Sequence, residues 1–328
     1  MKELVSVFTQ QLIEASVIGK AAILKKSETP ISNVLITGLG GSGIGGKIVA
    51  QLVADECNIP IITNNTYDLP SFVNKNTLVI ASSFSGNTEE TLCALELAEQ
   101  KGAQIAIISS GGKIVEIAKE KGYNHIILPK GDSPRAMLCY SLTQQFFLLH
   151  HYGLIGNGFF TEIEKSIALL NTELVNIQTE AKTVAQTLIN KTTVIYSEAK
   201  LEGVITRFRQ QLNENSKVLC WHHVLPEMNH NELVGWAGGK EEYAVVMFRN
   251  DSDFSRTQVR MDITKEIITK YTSTYIELYS KGDSMIQKSF YLILLGDWIS
   301  VYLAELKNVD ATEVNVISHL KGTLAKIS

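Results

Sequence analysis

Two short runs of glycine and hydroxyl residues could grip a phosphate. The first, residues 38–46, reads GLGGSGIGG. It follows an apolar run and opens a segment of helical spacing. Its amides would therefore gather at a helix N-terminus, where free N–H groups and the helix dipole favour an anion. The second run, residues 82–91, reads SSFSGNTEET and has the same setting. Ser83, Ser85 and Thr88 put hydroxyls close together at that helix start. Ordinary N-capping by Asn87 or Thr88, with Glu89 and Glu90 in the first turn, explains one hydroxyl but not all of them. Hydroxyls and amides together can hold a phosphate monoester without cations. That suits a chain of net charge −4.

Neither loop suits a nucleotide. Gly38, Gly40 and Gly43 fit GxGxxG, but that fingerprint also needs an acidic residue after the second strand to hold the ribose. The apolar run 59–63 ends instead in Asn64 and Asn65. Gly41, Gly46 and Lys47 fit GxxxxGK, yet the magnesium-ligating Ser or Thr that should follow is Ile48. The plain structural reading of the first loop is a tight strand–helix turn that needs glycine backbone.

The elements that would carry these loops alternate. Apolar runs at 33–37, 59–63, 77–81, 103–108 and 125–128 read as strands, with helical segments at 45–55, 89–101, 113–121 and 137–152. Such alternation predicts a parallel sheet with helices on both faces. The glycine-rich stretch 153–159, GLIGNGF, is the expected junction. Beyond it a polar helix at 161–189 precedes strands at 193–196, 243–248 and 273–278. Helices are expected at 200–212, 255–270, 284–306 and 313–326. The fold class is thus α/β, with one subdomain over 1–153 carrying the phosphate loops and a second over 154–328.

Composition excludes several classes. A mildly acidic chain has no electrostatic footprint for nucleic acid and no polybasic segment for a membrane. The most apolar stretch, 291–306, is interrupted by Asp297 and Glu305 and reads as a buried core helix. The N-terminal MKELVSVFTQQLIEAS reads as an amphipathic helix and not a signal peptide, so a cytoplasmic protein is expected. Cys57, Cys93, Cys139 and Cys220 form no CxxC pair and read as reduced, mostly apolar-packed side chains. His222, His223, His230, Glu227 and Glu232 are close in sequence but fit no metal template, and HExxH is absent, so no metal is expected.

GLGGSGIGG followed by SFSGNTEET resembles the sugar isomerase (SIS) phosphosugar-binding domain. SPRAM (133–137), NENSK (213–217), EMNHNELVGW (227–236) and ISHLKGTL near the C-terminus further resemble the bifunctional phosphoglucose/phosphomannose isomerases. The motifs run from residue 38 to Lys321, nearly the whole chain. The resemblance implies two SIS-type subdomains and a metal-independent aldose–ketose isomerase without cofactor. Its substrates would be glucose 6-phosphate and mannose 6-phosphate, interconverted with fructose 6-phosphate in carbohydrate metabolism.

The resemblance also assigns roles. Isomerisation moves a proton between C1 and C2 through a cis-enediol(ate), so it needs a base, a positive group near the oxyanion and help in opening the ring. By resemblance Glu214 is the base, although taken alone a Glu following the helix that exposes Arg207, Arg209 and Gln210 reads as a solvated carboxylate. Arg135 would steady the enediolate oxygen. His230, supplied by the partner subunit of a homodimer, and Lys321 would open the ring. Gly41, Ser42, Ser83, Ser85 and Thr88 would hold the phosphate. Thr312, in the DATEV stretch where the chain departs from the commonest family pattern, lies near the position that admits the mannose epimer. Two other classes stay open: a non-catalytic SIS sensor, and an SIS isomerase or aldolase for another sugar phosphate. The set Glu214, Arg135, His230 and Lys321 speaks against a sensor, which needs only the phosphate loops.

Overall fold

Short β-branched runs closed by glycine or polar turns become strands here, and the longer amphipathic runs become helices. The computed structural model describes residues 1–27, 29–131 and 133–327. Helices α1 (Lys2–Ser6) and α2 (Phe8–Ala21) lead into β1 (Asn33–Thr37), α3 (Gly40–Leu52), β2 (Ile61–Asn64) and β3 (Thr77–Ser82). Then come α4 (Glu89–Gln100), β4 (Gln104–Ser109), α5 (Gly112–Lys121), β5 (Asn124–Ile127) and α6 (Leu138–His151). All five strands are parallel, in the order β2-β1-β3-β4-β5. Strand order reverses at β1, so the loops after β1 and β3 diverge and leave a crevice at their carboxyl ends, where open α/β sheets bind ligands.

After α6 the chain turns at Gly153, whose φ is +71°. There follow α7 (Gly158–Leu188), β6 (Thr192–Glu198), α8 (Glu202–Ser216), β7 (Trp221–Leu225) and the short α9 (Glu232–Gly235). The chain ends with β8 (Tyr243–Arg249), α10 (Ser255–Ile268), β9 (Tyr275–Tyr279), α11 (Met285–Leu306) and α12 (Asn315–Leu324). This second sheet is also parallel, in the order β7-β6-β8-β9.

Alternation along the strands divides the core. Val34, Ile36, Leu78 and Ile80 point into one apolar cluster, while Leu35, Val79 and Ala81 point into another on the opposite face. Ile195, Val246 and Phe248 of the second sheet enter the same cluster as Val34 and Ile36. One continuous core therefore lies between the sheets, filled by α6, α7, α8 and α11. Helix α11 is long and apolar enough to cross a membrane by composition, but it is buried against α7 and α8.

Three local expectations are corrected. WHHVL (Trp221–Leu225) is an edge strand that sequence reading left unassigned, because its two histidines hide the apolar alternation. Helix α8 runs to Ser216, so Glu214 lies within it and not after it. Arg207 is buried at 2% exposure, not displayed on a solvent face, because Asp297 of α11 meets it there.

Candidate active site

The two phosphate loops interlock at the carboxyl ends of β1 and β3. A Cβ on Gly38 would lie 2.5 Å from the Ser82 carbonyl oxygen, so only glycine allows this approach. Ser42, in the first turn of α3, accepts a hydrogen bond from the Phe84 amide at 3.0 Å. One lone pair of Ser42 is thus spent on joining the loops, which leaves its O–H to donate. Ser83 Oγ and Thr88 Oγ1 lie 2.9 Å apart, and Ser83 Oγ also accepts from the Gly86 amide at 3.2 Å. Ser85 Oγ accepts from the Asn87 amide at 3.3 Å. Thr88 is the N-cap residue of α4, yet its side chain makes no capping bond. The Asn87 carboxamide oxygen is occupied by the Lys113 amide at 3.0 Å. Neither residue takes up the capping role, so the α4 N-terminal amides keep their donors for another acceptor.

Arg135 and Glu214 stand next to this crevice. Gly41 abuts the Pro134–Met137 turn, where an added Cβ would be 3.1 Å from the Arg135 Cα. Arg135 is 5% exposed, and each nitrogen of its guanidinium has one partner, which leaves one N–H on each Nη uncommitted. Nε donates to Asn215 Oδ1 at 2.7 Å, Nη1 to Glu214 Oε2 at 3.2 Å, and Nη2 to the Ala311 carbonyl at 2.5 Å. Burial lowers its pKa from the usual arginine value, and Glu214 works against that shift. An arginine still stays charged at any working pH. Glu214 is half-buried and projects from the last turn of α8.

The other expected residues are placed differently. Thr312 is exposed, and its hydroxyl and amide are both bonded to Asp310 Oδ1, at 2.6 and 2.7 Å. Its neighbour Ala311 touches Arg135, which brings the 310–314 segment to the site. Lys217, in the left-handed conformation that ends α8, holds the same segment through the Glu313 carbonyl at 2.6 Å. His230 is exposed on the turn Glu227–His230, and Lys321 is exposed on α12. Neither makes a hydrogen bond or ion pair to Arg135 or Glu214 among the described residues. Glu232, by contrast, is tied up by Tyr196 at 2.5 Å, Trp221 Nε1 at 2.9 Å and His223 Nδ1 at 2.8 Å.

Sequence reading missed the residues that fix Arg135. Arg207 Nη2 donates to Asp297 Oδ2 at 2.6 Å and to the Arg135 carbonyl at 3.0 Å, while Gln211 donates to Asp297 Oδ1 at 3.0 Å. Burial pushes the Asp297 carboxyl up, and Arg207 and Gln211 hold its charged form. Asn215 Nδ2 donates to Ser300 Oγ at 2.9 Å, and Ser300 Oγ in turn donates to the Asp297 carbonyl at 2.7 Å. Since Ser300 spends its proton on Asp297, it must accept from Asn215. The Asn215 amide therefore has to turn its oxygen toward Arg135. The one available signal was Asp297 inside an apolar helix, because a carboxylate so placed needs a buried partner.

The arrangement sets a carboxylate and an immobilised guanidinium beside a hydroxyl-and-amide cradle. Such a set can take a proton from carbon next to a carbonyl and stabilise the resulting oxyanion. Among the described residues no His, Cys, Asp and Glu side chains cluster in the manner of a metal site.

Comparison with known proteins identifies the family and the fold. Residues 29–154 match the SIS domain family, and residues 177–324 match the bacterial phospho-glucose isomerase C-terminal SIS domain. The chain is 40% identical to a bifunctional phosphoglucose/phosphomannose isomerase of Caldicellulosiruptor bescii over 97% of each chain. It is 34% identical to the enzyme of that name from Aquifex aeolicus, over 92% of this chain and 93% of the other. Among solved structures, the C-terminal domain of glucosamine-fructose-6-phosphate aminotransferase from Francisella tularensis superposes with a TM-score of 0.73 at 12% identity. That match covers 94% of this chain and 96% of the other, a likeness of fold.

Proposed function

The chain belongs to the bifunctional phosphoglucose/phosphomannose isomerases, and on that premise we propose how its residues divide the work. It is an aldose–ketose isomerase that interconverts glucose 6-phosphate and mannose 6-phosphate with fructose 6-phosphate. The phosphate rests on the Gly41–Ser42 turn and the hydroxyls of Ser83, Ser85 and Thr88. Glu214 carries the proton between C2 and C1, and the intermediate is a cis-enediolate. Arg135 faces the developing oxyanion. A carboxylate base and a fixed cation suffice for this step, so the route is metal-independent.

The observation that carries the reading is the 3.2 Å pairing of Arg135 with Glu214 across the two sheets. It joins a residue of the first half to one of the second beside the phosphate cradle. Thr312 acts on epimer choice through its position beside Ala311, which Arg135 grips. His230 and Lys321 serve ring opening, with His230 reaching the site of a partner in a homodimer. Two features support a partner. His230 projects from the exposed turn after the edge strand β7, and α12 shows an apolar stripe of Val316, Leu320 and Leu324 with no buried residue.

Glu214→Gln keeps size and hydrogen bonding but removes basicity. In deuterated water it should slow both exchange of the C2 proton of glucose 6-phosphate and net isomerisation by about 10²–10⁴-fold. Sugar-phosphate binding should persist. Exchange at the wild-type rate would assign the base to another residue.

A further inference from the structure

Beside α3, on the side away from the hydroxyl loop, a cavity of about 280 Å³ opens between α3, the end of β2 and α8. We propose that this cleft is a second anion site, which takes the phosphate group of orthophosphate or of a phosphorylated metabolite. Its walls include Gly40, Gly43 and Lys47 of α3, Asn65 after β2, and Arg209 and Gln210 of α8. Ser42, Ser83, Thr88, Arg135 and Glu214 do not line it. The two faces of the α3 start are distinct. Gly41 packs on Arg135, whereas Gly43 faces the Gly38 carbonyl and the Asn65 carboxamide bonded to it, where an added Cβ would be 2.3 and 2.9 Å away.

Charge is what singles the cleft out. Arg135 and Arg207, the other interior guanidiniums of this region, each have a carboxylate partner. Arg209 is half-buried and its Nε is fully buried without a partner. Its guanidinium makes no ion pair or side-chain hydrogen bond among the described residues. Lys47, on the opposite wall, is paired with Glu202 at 2.8 Å. Among the other titratable neighbours, burial pushes the Cys220 thiol up to about 11, and His222 shares a hydrogen bond with Thr206 Oγ1 at 3.1 Å. Burial, then Arg209 and Lys47, hold it neutral down to about pH 4. Lys47 and Arg209 against Glu202 leave one positive charge in excess, in a protein whose net charge is −4.

A guanidinium half withdrawn from water, with a buried Nε and no carboxylate partner, is a ready counter-charge for a bound anion. A phosphate fits better than a carboxylate. It offers three acceptor oxygens to a forked guanidinium and an ammonium on facing walls. The site would bridge helices from both sheets. Glu214 lies five residues beyond Arg209 on α8, so occupancy would bear on how α8 meets Arg135.

The test counts orthophosphate per chain by equilibrium dialysis, with and without saturating sorbitol 6-phosphate, which lacks the carbonyl needed to react. Wild type should bind two, one displaced by sorbitol 6-phosphate and one resistant to it. Arg209→Gln should weaken the resistant site by about tenfold or more, as expected for a charge-assisted contact. In phosphate-free buffer its turnover of glucose 6-phosphate should stay within about twofold. Lys47→Gln serves as an independent variant from the other wall. If glycerol 3-phosphate, a phosphate monoester without the hexose chain, competes at the resistant site better than orthophosphate, the natural ligand is a small phosphorylated metabolite; if worse, it is the free ion. A single orthophosphate per chain overturns the proposal, as does a resistant site unchanged in both variants. So does loss of self-association by Arg209→Gln without phosphate binding, which would make the partner of Arg209 a carboxylate of a second copy.

Discussion

Asn215→Ala isolates how the interior holds Arg135 in place. The substitution removes the acceptor 2.7 Å from Arg135 Nε and the donor 2.9 Å from Ser300 Oγ. A hydrogen bond to a charged group contributes about 1.5–3 kcal/mol and a neutral one about 0.5–1.5. Ser300 keeps its bond to Asp297, so the larger loss falls on Arg135. With Nε released, the guanidinium is held only by Glu214, which must move during turnover, and by the Ala311 carbonyl. If about 1.4–2.7 kcal/mol of that loss reaches the transition state, kcat falls about 10–100-fold. KM should change little, because the phosphate cradle does not contain Asn215. The assay is a double-mutant cycle with Arg135→Lys, which has no donor at the Nε position, scored on kcat and on denaturant unfolding. In the Arg135→Lys background, Asn215→Ala should lower kcat less than about threefold, since contacting residues are non-additive. An equal fall in both backgrounds would show that Asn215 does not act through Arg135.

Three further outcomes are expected. Asp253 is buried after β8, and burial, then the Glu198 charge, push its carboxyl up to about 7. The folded state thus holds a proton that the unfolded chain releases at lower pH. The penalty is absent below the ordinary carboxylate range, grows as pH rises and is complete above about 7. Asp253→Asn should therefore raise unfolding stability by about 1–3 kcal/mol at pH 8 and by little at pH 4, in urea titrations at each pH; equal gains at both would refute the cause. Ser83→Ala and Thr88→Ala should each weaken sugar-phosphate binding by about 0.5–3 kcal/mol, and unchanged KM in both would remove these hydroxyls from the cradle. Mixing Glu214→Gln with His230→Ala under subunit exchange should restore activity in hybrid sites, and demonstrated exchange without recovery would place His230 in its own chain's site.

Much of the fold was legible because both sheets are parallel and buried on two faces. Residues 33–37 and 77–81 were read as strands, and the structure has strands there because continuous apolar runs ended by glycine or serine leave little choice. Strand β7 was not legible. An edge strand with two histidines has neither the alternation nor the run that marks a strand. The phosphate loops declared themselves through local chemistry, since their hydroxyls and glycines are neighbours in sequence. Glu214 and Arg135 did not. Nothing near either residue distinguishes it, and only the motif around each drew attention to it. Their pairing spans 79 residues, and the Arg207–Asp297 pair beneath them spans 90. Contacts of that kind leave no local pattern.

The single core between the sheets has a consequence for how this protein can fail. Ile36 of β1 and Val246 of β8 belong to the same apolar cluster, and so do the buried residues of α11. Each sheet packs a smaller cluster on its outer face, but the two inner faces share one filling, so loosening one sheet strips cover from the inner face of the other. The catalytic pair draws one member from each side of that shared interior. A molecule damaged in either half therefore has no reduced setting to fall back on. Stress that opens the shared interior from either side is therefore expected to remove activity and structure together.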